Sequence, residues 1–423
     1  MAKLNKKIHI ALILEDLYPD SSGVSRSIQM QIFELMRLGH KVTLLAPKLK
    51  TKLKTDYEII ELPSCWFFGL PTHTRILLQN KKIIENICNN YSFDVIHSQT
   101  DTGAFGLACK IAKKMNIPHV HTFHTNMAGA HLTAPINSFL GSIGYRAGAL
   151  KAYLTNRKYE LCKLDKKILK KESSIARFDW RSQAMMASSA DAFSVPSKYM
   201  LKYIKAAGTN SKELSKHIPT GYSRAFKDII DSKRKNSIRD SEKSDKFRIV
   251  SVSRLVKEKR LDVVIEAFKK ANIKNSELII IGDGAESASL KQKAKAKNII
   301  FTGHVKEQGE IVDYLLKSDV FILASYLFDN QPIVITEALA AGLPILYCDD
   351  RLDVGLNKDN SLLVGPTVDD LAKGMIKLAK TDKLQELREG TKTVFEELSP
   401  EKTALSYVDL YFKVLTRKEK FKN

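Results

Sequence analysis

The segment Val320-Phe321-Ile322-Leu323-Ala324 is followed by a polar stretch from Ser325 to Gln331, and then by Pro332-Ile333-Val334-Ile335-Thr336-Glu337-Ala338-Leu339-Ala340-Ala341-Gly342-Leu343-Pro344. The unbroken apolar run reads as a strand buried on both faces of a parallel sheet. Pro332 has a fixed φ and no amide proton, which suits the first position of a helix, and Gly342 and Pro344 supply the stop; a helix is therefore expected from about Pro332 to Ala341. Its side chains are apolar on nearly every side, so it should be buried. Within it sits one carboxylate, Glu337, and another, Asp329, lies in the loop that leads in. A carboxylate on a buried helix is costly unless it finds donors, and the free amides at the helix start attract an anion. The combination points to a polyhydroxylated, phosphorylated ligand.

Working outward, the same strand and helix alternation recurs on both sides. Upstream, strands are expected at Lys7 to Leu14, His40 to Pro47, Tyr57 to Leu62, Phe93 to His97, Pro118 to Phe123 and Ala192 to Val195, with helices between them. From Phe247 the pattern restarts, with strands at Phe247 to Val252, Leu278 to Ile281, Asn298 to Thr302, Pro344 to Cys348 and Ser361 to Val364. The class is α/β, with two Rossmann-like, doubly wound parallel sheets facing a cleft. A chain of 423 residues exceeds the usual size of one core, in keeping with two domains. Residues 229–246 are charged, serine-bearing and poor in apolar side chains, and are read as a linker between an N-terminal domain (1–228) and a C-terminal one (247–399). The final helix, 400–423, is expected to pack back on the first domain.

The formal net charge of +21 calls for an anionic partner: nucleic acid, an acidic membrane surface or phosphorylated ligands. The five cysteines, Cys65, Cys88, Cys109, Cys162 and Cys348, lack metal-ligand or paired spacing, which suits reduced thiols in a cytosolic protein and implies no zinc site. Neither a signal peptide nor an uncharged stretch of about 20 apolar residues is evident, so no integral membrane segment is expected. The segment Leu150 to Lys171 reads as a basic amphipathic helix. Leu150, Leu154, Leu161, Leu164 and Ile168 share one face, and Lys163, Lys166, Lys167 and Lys170 the other. Such a helix either packs its apolar face inward or contacts a membrane.

Candidate ligand residues gather where strands end. His121 and His124 close the Pro118 to Phe123 strand, at the end where ligands collect in parallel sheets, although histidines there also serve structure through backbone hydrogen bonds. Arg254 and Lys259 follow the first strand of the second half, as a diphosphate clamp would. Gly23, after Pro19 to Ser22, marks either a phosphate-binding loop or a tight turn.

Ser253-Arg254-Leu255, Glu258-Lys259-Arg260, Gly282-Asp283-Gly284, Phe301-Thr302-Gly303-His304-Val305 and Asp329 to Glu337 together resemble the GT-B glycosyltransferases of family 4, over nearly the whole chain. The resemblance implies retaining transfer of a hexose from a nucleotide diphosphate sugar, such as UDP-glucose, to an acceptor hydroxyl, with no metal or other cofactor required. It implies that Arg254 and Lys259 hold the diphosphate, Glu337 the ribose hydroxyls, and Gly303, His304 and Val305 the base. Asp329 would contact the donor sugar, with Asn330, Gln331 and Ile333 close to sugar and phosphate. His124 would lie near the reacting carbon, and Gly23 matches the second glycine of an N-terminal pair. Three positions depart from the family pattern: Asp329 replaces a glutamate, Ser22 a glycine, and Arg260 the glycine after the clamp lysine. Asp349-Asp350-Arg351-Leu352-Asp353 also lacks the usual glycine pair.

The His-Thr-Phe-His-Thr run and the basic segment look most similar to diacylglycerol glucosyltransferases and phosphatidylinositol mannosyltransferases. The implied partners are an anionic membrane surface and a lipid acceptor, and the implied setting is a monomer in the cytoplasm, peripheral on the inner face of the cell membrane. Three other readings stay open: transfer to a protein or a soluble or cell-surface glycan, a GT-B nucleotide-sugar epimerase, and a basic nucleic-acid binder. The last is disfavoured, because aromatics are not interleaved with the basic run and no binding module for nucleic acid is recognised.

Overall fold

The structure is a computed structural model, and it describes residues 6–19, 21–67, 71–132, 135–210, 214–237, 246–392 and 398–420. The chain forms two compact units, one made of Met1–Thr220 with Pro400–Asn423, the other of Gly221–Ser399.

The first unit runs β1 (His9–Ile13), α1 (Gly23–Arg37), β2 (Lys41–Pro47), β3 (Glu58–Leu62), β4 (Ser64–Cys65), β5 (Ile76–Leu77), α2 (Lys81–Asn90), β6 (Val95–Ser98), α3 (Gly103–Met115), β7 (His119–Thr122), α4 (Pro135–Asn156), α5 (Ser174–Ala187), β8 (Ala192–Val195), α6 (Lys198–Ala206) and β9 (Ser215–His217). Seven strands make one parallel sheet in the order β3-β2-β1-β6-β7-β8-β9, with β4 and β5 as a separate antiparallel pair. The strands are apolar on both faces because helices cover both, and Ile10 to Leu14 has no exposure. The C-terminal helix, Pro400–Lys420, belongs to this unit. Its Ala404, Tyr407, Val408, Tyr411 and Val414 fall at helical spacing and bury with Ile28, Ile32 and Leu35 of α1.

The second unit runs α7 (Arg224–Ser237), β10 (Phe247–Val252), α8 (Leu261–Ala271), β11 (Ser276–Ile281), α9 (Ser287–Ala294), β12 (Ile299–Gly303), α10 (Gln308–Leu316), β13 (Val320–Leu323), α11 (Ile333–Ala340), β14 (Ile345–Tyr347), β15 (Ser361–Leu363), α12 (Val368–Leu378) and α13 (Thr381–Thr391). Its parallel sheet has the order β12-β11-β10-β13-β14-β15. Counted within the unit this is 3-2-1-4-5-6, the dinucleotide-fold order, which reverses between β10 and β13. In both units the crevice for a ligand therefore opens beside the first strand, between β1 and β6 or between β10 and β13.

Three expectations change. Residues 229–237 are not linker: α7 extends from Arg224, buries Phe226 and Ile230 in the second unit's core, and pairs Lys233 with Asp313 at 2.6 Å. Residues 221–228 accordingly fall in the second unit, and 238–245 lie outside the described residues. Gly23 forms no tight turn but opens α1, whose cap is Ser22 in a reciprocal capping box with Ser25. Leu150 to Lys171 is not one helix, since α4 ends at Asn156. Beyond it the backbone bonds elsewhere: Lys158 N to Ser188 O at 2.8 Å, Cys162 N to Gly208 O at 2.7 Å and Asp165 N to Ala206 O at 2.8 Å. These tertiary partners outweigh the local helical pattern, leaving a short 3-10 turn at Ile168–Lys171. Lys163, Lys166, Lys167 and Lys170 are all exposed, but they do not form the opposite face of a helix that carries Leu150 and Leu154.

Candidate functional site

In the second unit the loops after β10 and β11 are laced together. Ser253 N bonds Ile281 O at 3.0 Å and Leu255 N bonds Asp283 O at 2.9 Å. Glycine is obligatory at this seam: Gly282 has φ +133°, and a Cβ there would lie 1.9 Å from Ser253 O, while one at Gly284 would lie 2.4 Å from Leu255 O. The loop carries Arg254, whose side chain is 56% exposed and 3.9 Å from Glu258. It ends in the turn Lys257–Lys259, after which Arg260 takes a left-handed conformation at φ 50°. Glycine would adopt that conformation without strain. In this chain the Arg260 guanidinium donates to Ala324 O at 3.2 Å and Pro366 O at 2.6 Å, offsetting the strain and tying the loop to the end of β13.

Across the switch point, Lys259 Nζ reaches both carboxylate oxygens of Asp329, at 2.7 and 2.8 Å, and both side chains are largely buried. The sequence reading gave these residues separate duties, and the structure joins them. The Ser325 to Gln331 loop is shaped from beneath by Asp349 at the end of β14. This fully buried carboxylate accepts Leu327 N at 2.6 Å and Arg351 N at 3.1 Å, holding Leu327 at φ 59°. Burial raises its pKa, against the pull of those two amides. Helix α11 begins after Pro332 without a side-chain cap; Ile335 N donates to Pro332 O at 3.1 Å, and the amides of Ile333 and Val334 lead the helix start, where an anion is favoured. Asn330, Ile333 and Glu337 are buried around that start, and Gln331 is partly exposed. At the end of β12, Gly303 turns at φ 75° and accepts Gly282 N at 2.9 Å, His304 is exposed, and Val305 packs partly on the core.

The first unit presents a different chemistry at its switch point. Gln99 Nε2 donates to Gln31 Oε1 at 2.9 Å, and Gln31 Nε2 donates to the Tyr411 hydroxyl at 3.1 Å. With both amides oriented in this way, Gln99 turns its oxygen, an acceptor, to His124 Nε2 at 2.9 Å. Nε2 therefore carries the proton. Burial pushes the His124 pKa down to about 4, so the ring is neutral at pH 7.

A second chain runs from His119 Nε2 through the Ser98 hydroxyl to His121 Nδ1, each step 2.7 Å, and on from His121 Nε2 to Asp101 at 3.2 Å. Asp101 also accepts the Tyr145 hydroxyl at 2.7 Å. Glu15, just beyond β1 and wholly buried, accepts Leu77 N at 2.9 Å, Thr100 Oγ1 at 3.0 Å and the Thr102 hydroxyl. Burial still raises its pKa to about 7. Glu15, Gln99 and Asp101 were missed by the sequence reading. Each is a polar residue within three positions of the carboxyl end of a buried strand, which is the signal that would have found them. Gly23 stays exposed at the start of α1. Among the described residues no three His, Cys, Asp or Glu side chains are grouped as a metal-ligand set.

Residues 21–225 match the family described as Glycosyltransferase Family 4, and residues 232–393 match Glycosyl transferases group 1. The chain is 27% identical over 349 residues to the alpha-monoglucosyldiacylglycerol synthase of Streptococcus pneumoniae, covering 80% of this chain and 70% of that protein. It is 26% identical over 392 residues to the enzyme of the same name from Acholeplasma laidlawii, covering 89% of each. Among solved structures, Anabaena HepE in complex with UDP and glucose shares the fold at a TM-score of 0.65 and 13% identity, over 95% of this chain and 98% of that one. With two doubly wound parallel sheets and family matches over most of its length, the chain belongs to the GT-B glycosyltransferases of family 4.

Proposed function

We propose that the protein transfers a hexosyl unit, glucose from UDP-glucose foremost, to a hydroxyl of a membrane lipid such as diacylglycerol, with retention at the anomeric carbon. The observation that carries the donor half is the Lys259–Asp329 pair beside the start of α11. A cation and a carboxylate suited to sugar hydroxyls stand there near the first amides of the helix, at the sheet's switch point. Departure of the nucleotide places growing negative charge on the diphosphate, which Arg254, Lys259 and those amides meet, so no metal is needed. Glu337 takes the ribose hydroxyls. Gly303 to Val305 lie against the base, and Asn330, Gln331 and Ile333 lie close to sugar and phosphate.

The acceptor half rests on the two named glucosyldiacylglycerol synthases and on the neutral, hydrogen-bonded polarity of the first unit's switch point. His124, uncharged and with its Nε2 proton committed to Gln99, orients acceptor or sugar rather than supplying a proton. The enzyme works as a monomer from the cytoplasmic face of the membrane.

The test is product analysis. Radiolabelled UDP-glucose incubated with diacylglycerol vesicles should yield an organic-soluble α-glucoside. Label that stays in water on a glycan or protein would replace the lipid acceptor, and donor isomerisation without an acceptor would replace transfer. A β-anomeric product would overturn retention.

A further inference from the structure

Lys259 and Arg260 are neighbours in the turn after β10, and both side chains cross to the far side of the switch point. Lys259 ends on the Asp329 carboxylate at 2.7 and 2.8 Å, whereas Arg260 ends on backbone, at Ala324 O 3.2 Å away and Pro366 O 2.6 Å away. The Arg260 backbone is itself pinned: its amide donates to Lys257 O at 3.0 Å, and its carbonyl accepts Val263 N of α8 at 3.1 Å. The far anchor is fixed as well, since Pro366 leads directly into the Thr367 and Asp370 capping box of α12. Between these anchors the guanidinium holds the root of the loop that carries Asp329. Its Cζ also lies 5.8 Å from the centre of the Tyr326 ring, within cation–π range. From the β14 side, the Cys348 thiol donates to Ala324 O at 3.5 Å and Asp349 accepts Leu327 N at 2.6 Å.

Ala324, Tyr326 and Leu327 are therefore each held, and Asp329 follows closely behind them. The consequence is one of reach. An aspartate carries its carboxylate on a single methylene, so both of its oxygens meet Lys259 only while the two backbones keep their separation. Lysine does not set that separation, because its long stem has many rotamers. Arg260 does: a planar fork of donors with two carbonyl partners fixes the orientation of whatever it joins. Residues 260 and 329 are thus coupled across the switch point through the Ala324 to Asp329 backbone. The left-handed backbone at φ 50° is the strain that comes with an arginine here, and glycine would remove that strain together with the brace.

We propose that Arg260 is a positioning residue of the donor site: it sets the separation of Lys259 and Asp329, and with it the reach of the Asp329 carboxylate to the donor sugar, so that residues 260 and 329 act as one specificity unit. This deepens the donor reading and rests on it for the identity of the ligand, whereas the brace itself rests on the bonds above.

The test measures UDP-glucose affinity by calorimetry and amide hydrogen exchange over residues 324–331, in the full chain. The variants are Arg260→Met, Arg260→Gly, Asp329→Glu and the Arg260→Gly/Asp329→Glu double. Arg260→Met keeps the stem and the backbone conformation and removes only the guanidinium, and melting curves check that each variant is folded. Both Arg260 variants should exchange faster over 324–331 and bind UDP-glucose roughly tenfold more weakly. Asp329→Glu, its longer acid overshooting a Lys259 held at fixed distance, should lose a similar factor. The double variant, with its loop free to step back, should bind better than either single one, where independent changes would lose about a hundredfold together. Multiplied losses would overturn the proposal, as would wild-type affinity and exchange in Arg260→Met. Exchange that quickens throughout the second unit would also overturn it, marking Arg260 as a support of the fold alone. A wild type that binds no UDP-glucose, with exchange in Arg260→Met faster only around Asp329, would support the brace and sink the donor reading alone.

Discussion

The two sheets share their strand order around the switch point, yet their carboxyl edges are built from opposite materials. In the second unit polarity comes from backbone amides at α11, the exposed Arg254 and the Lys259–Asp329 ion pair, arranged by loops that only glycine or a left-handed residue can follow. In the first it comes mainly from neutral side chains, Gln31, Gln99, His97, His124 and Tyr411, joined by hydrogen bonds, with the carboxylates Glu15 and Asp101 held by hydroxyl and ring donors beside them. The difference matches the proposed ligands. A diphosphate keeps its charge and gains more as it leaves, so cations and helix amides suit it. An acceptor hydroxyl is neutral and needs orientation, which a rigid satisfied network supplies.

Four changes would break or sharpen that contrast. The largest effect is expected from Lys259→Met, which removes a cation from the proposed leaving-group site and breaks the ion pair with Asp329. Turnover should fall about 10²- to 10³-fold, the scale for losing one transition-state donor, as steady-state rates with UDP-glucose would show. A rate within a few-fold of wild type would remove Lys259 from the chemistry.

Next is the pH dependence of Glu15. Its folded pKa of about 7 stands above the unfolded 4.5, so the folded state binds the extra proton between those values. Stability is fully present below pH 4.5, falls as pH rises, and levels off above 7; the loss is about 3 kcal/mol. His124 works the other way, its folded pKa of about 4 lying below 6.5, so its contribution is present above 6.5 and lost as pH falls. Glu15→Gln, which mimics the protonated form, should abolish the first slope and leave the second. Both tryptophans, Trp66 and Trp180, lie in the first unit, so fluorescence during urea unfolding at pH 5 and pH 8 reads that unit alone.

Glu337→Ala should weaken UDP-glucose binding by about 1.5 to 3 kcal/mol for each charged hydrogen bond to ribose that is lost, read by calorimetry. The smallest effect is expected from Tyr411→Phe. It deprives Gln31 and His97 of a buried partner and should destabilise the first unit by about 1 to 2 kcal/mol, with donor affinity untouched.

Much of the second unit was legible because its signals are local. Pro332 and Gly342 bracket α11, the apolar run marks β13, and the buried Glu337 stands out on an apolar helix. What was not legible depends on contacts distant in sequence. Lys259 and Asp329 are 70 residues apart, and only the switch point brings them together. The apolar periodicity runs on past Asn156, but carbonyls at Ser188, Ala206 and Gly208 claim the backbone there, and no local pattern announces them. Helix α7 was hidden because charged residues surround the few apolar ones, Phe226 and Ile230 among them, that fix it to the core. In the first unit, Gln31 and Gln99 look like ordinary polar residues until the fold closes their chain from Tyr411 to His124.

The division of labour between the two edges is tested most directly by measuring KM for UDP-glucose and for diacylglycerol in Glu337→Ala and His124→Ala. Glu337→Ala should raise the donor KM by roughly tenfold or more with the acceptor KM unchanged, and His124→Ala should lower transfer to the lipid with donor affinity unchanged. A Glu337→Ala enzyme with wild-type donor KM, or a His124→Ala enzyme whose only defect is donor binding, would contradict the assignment.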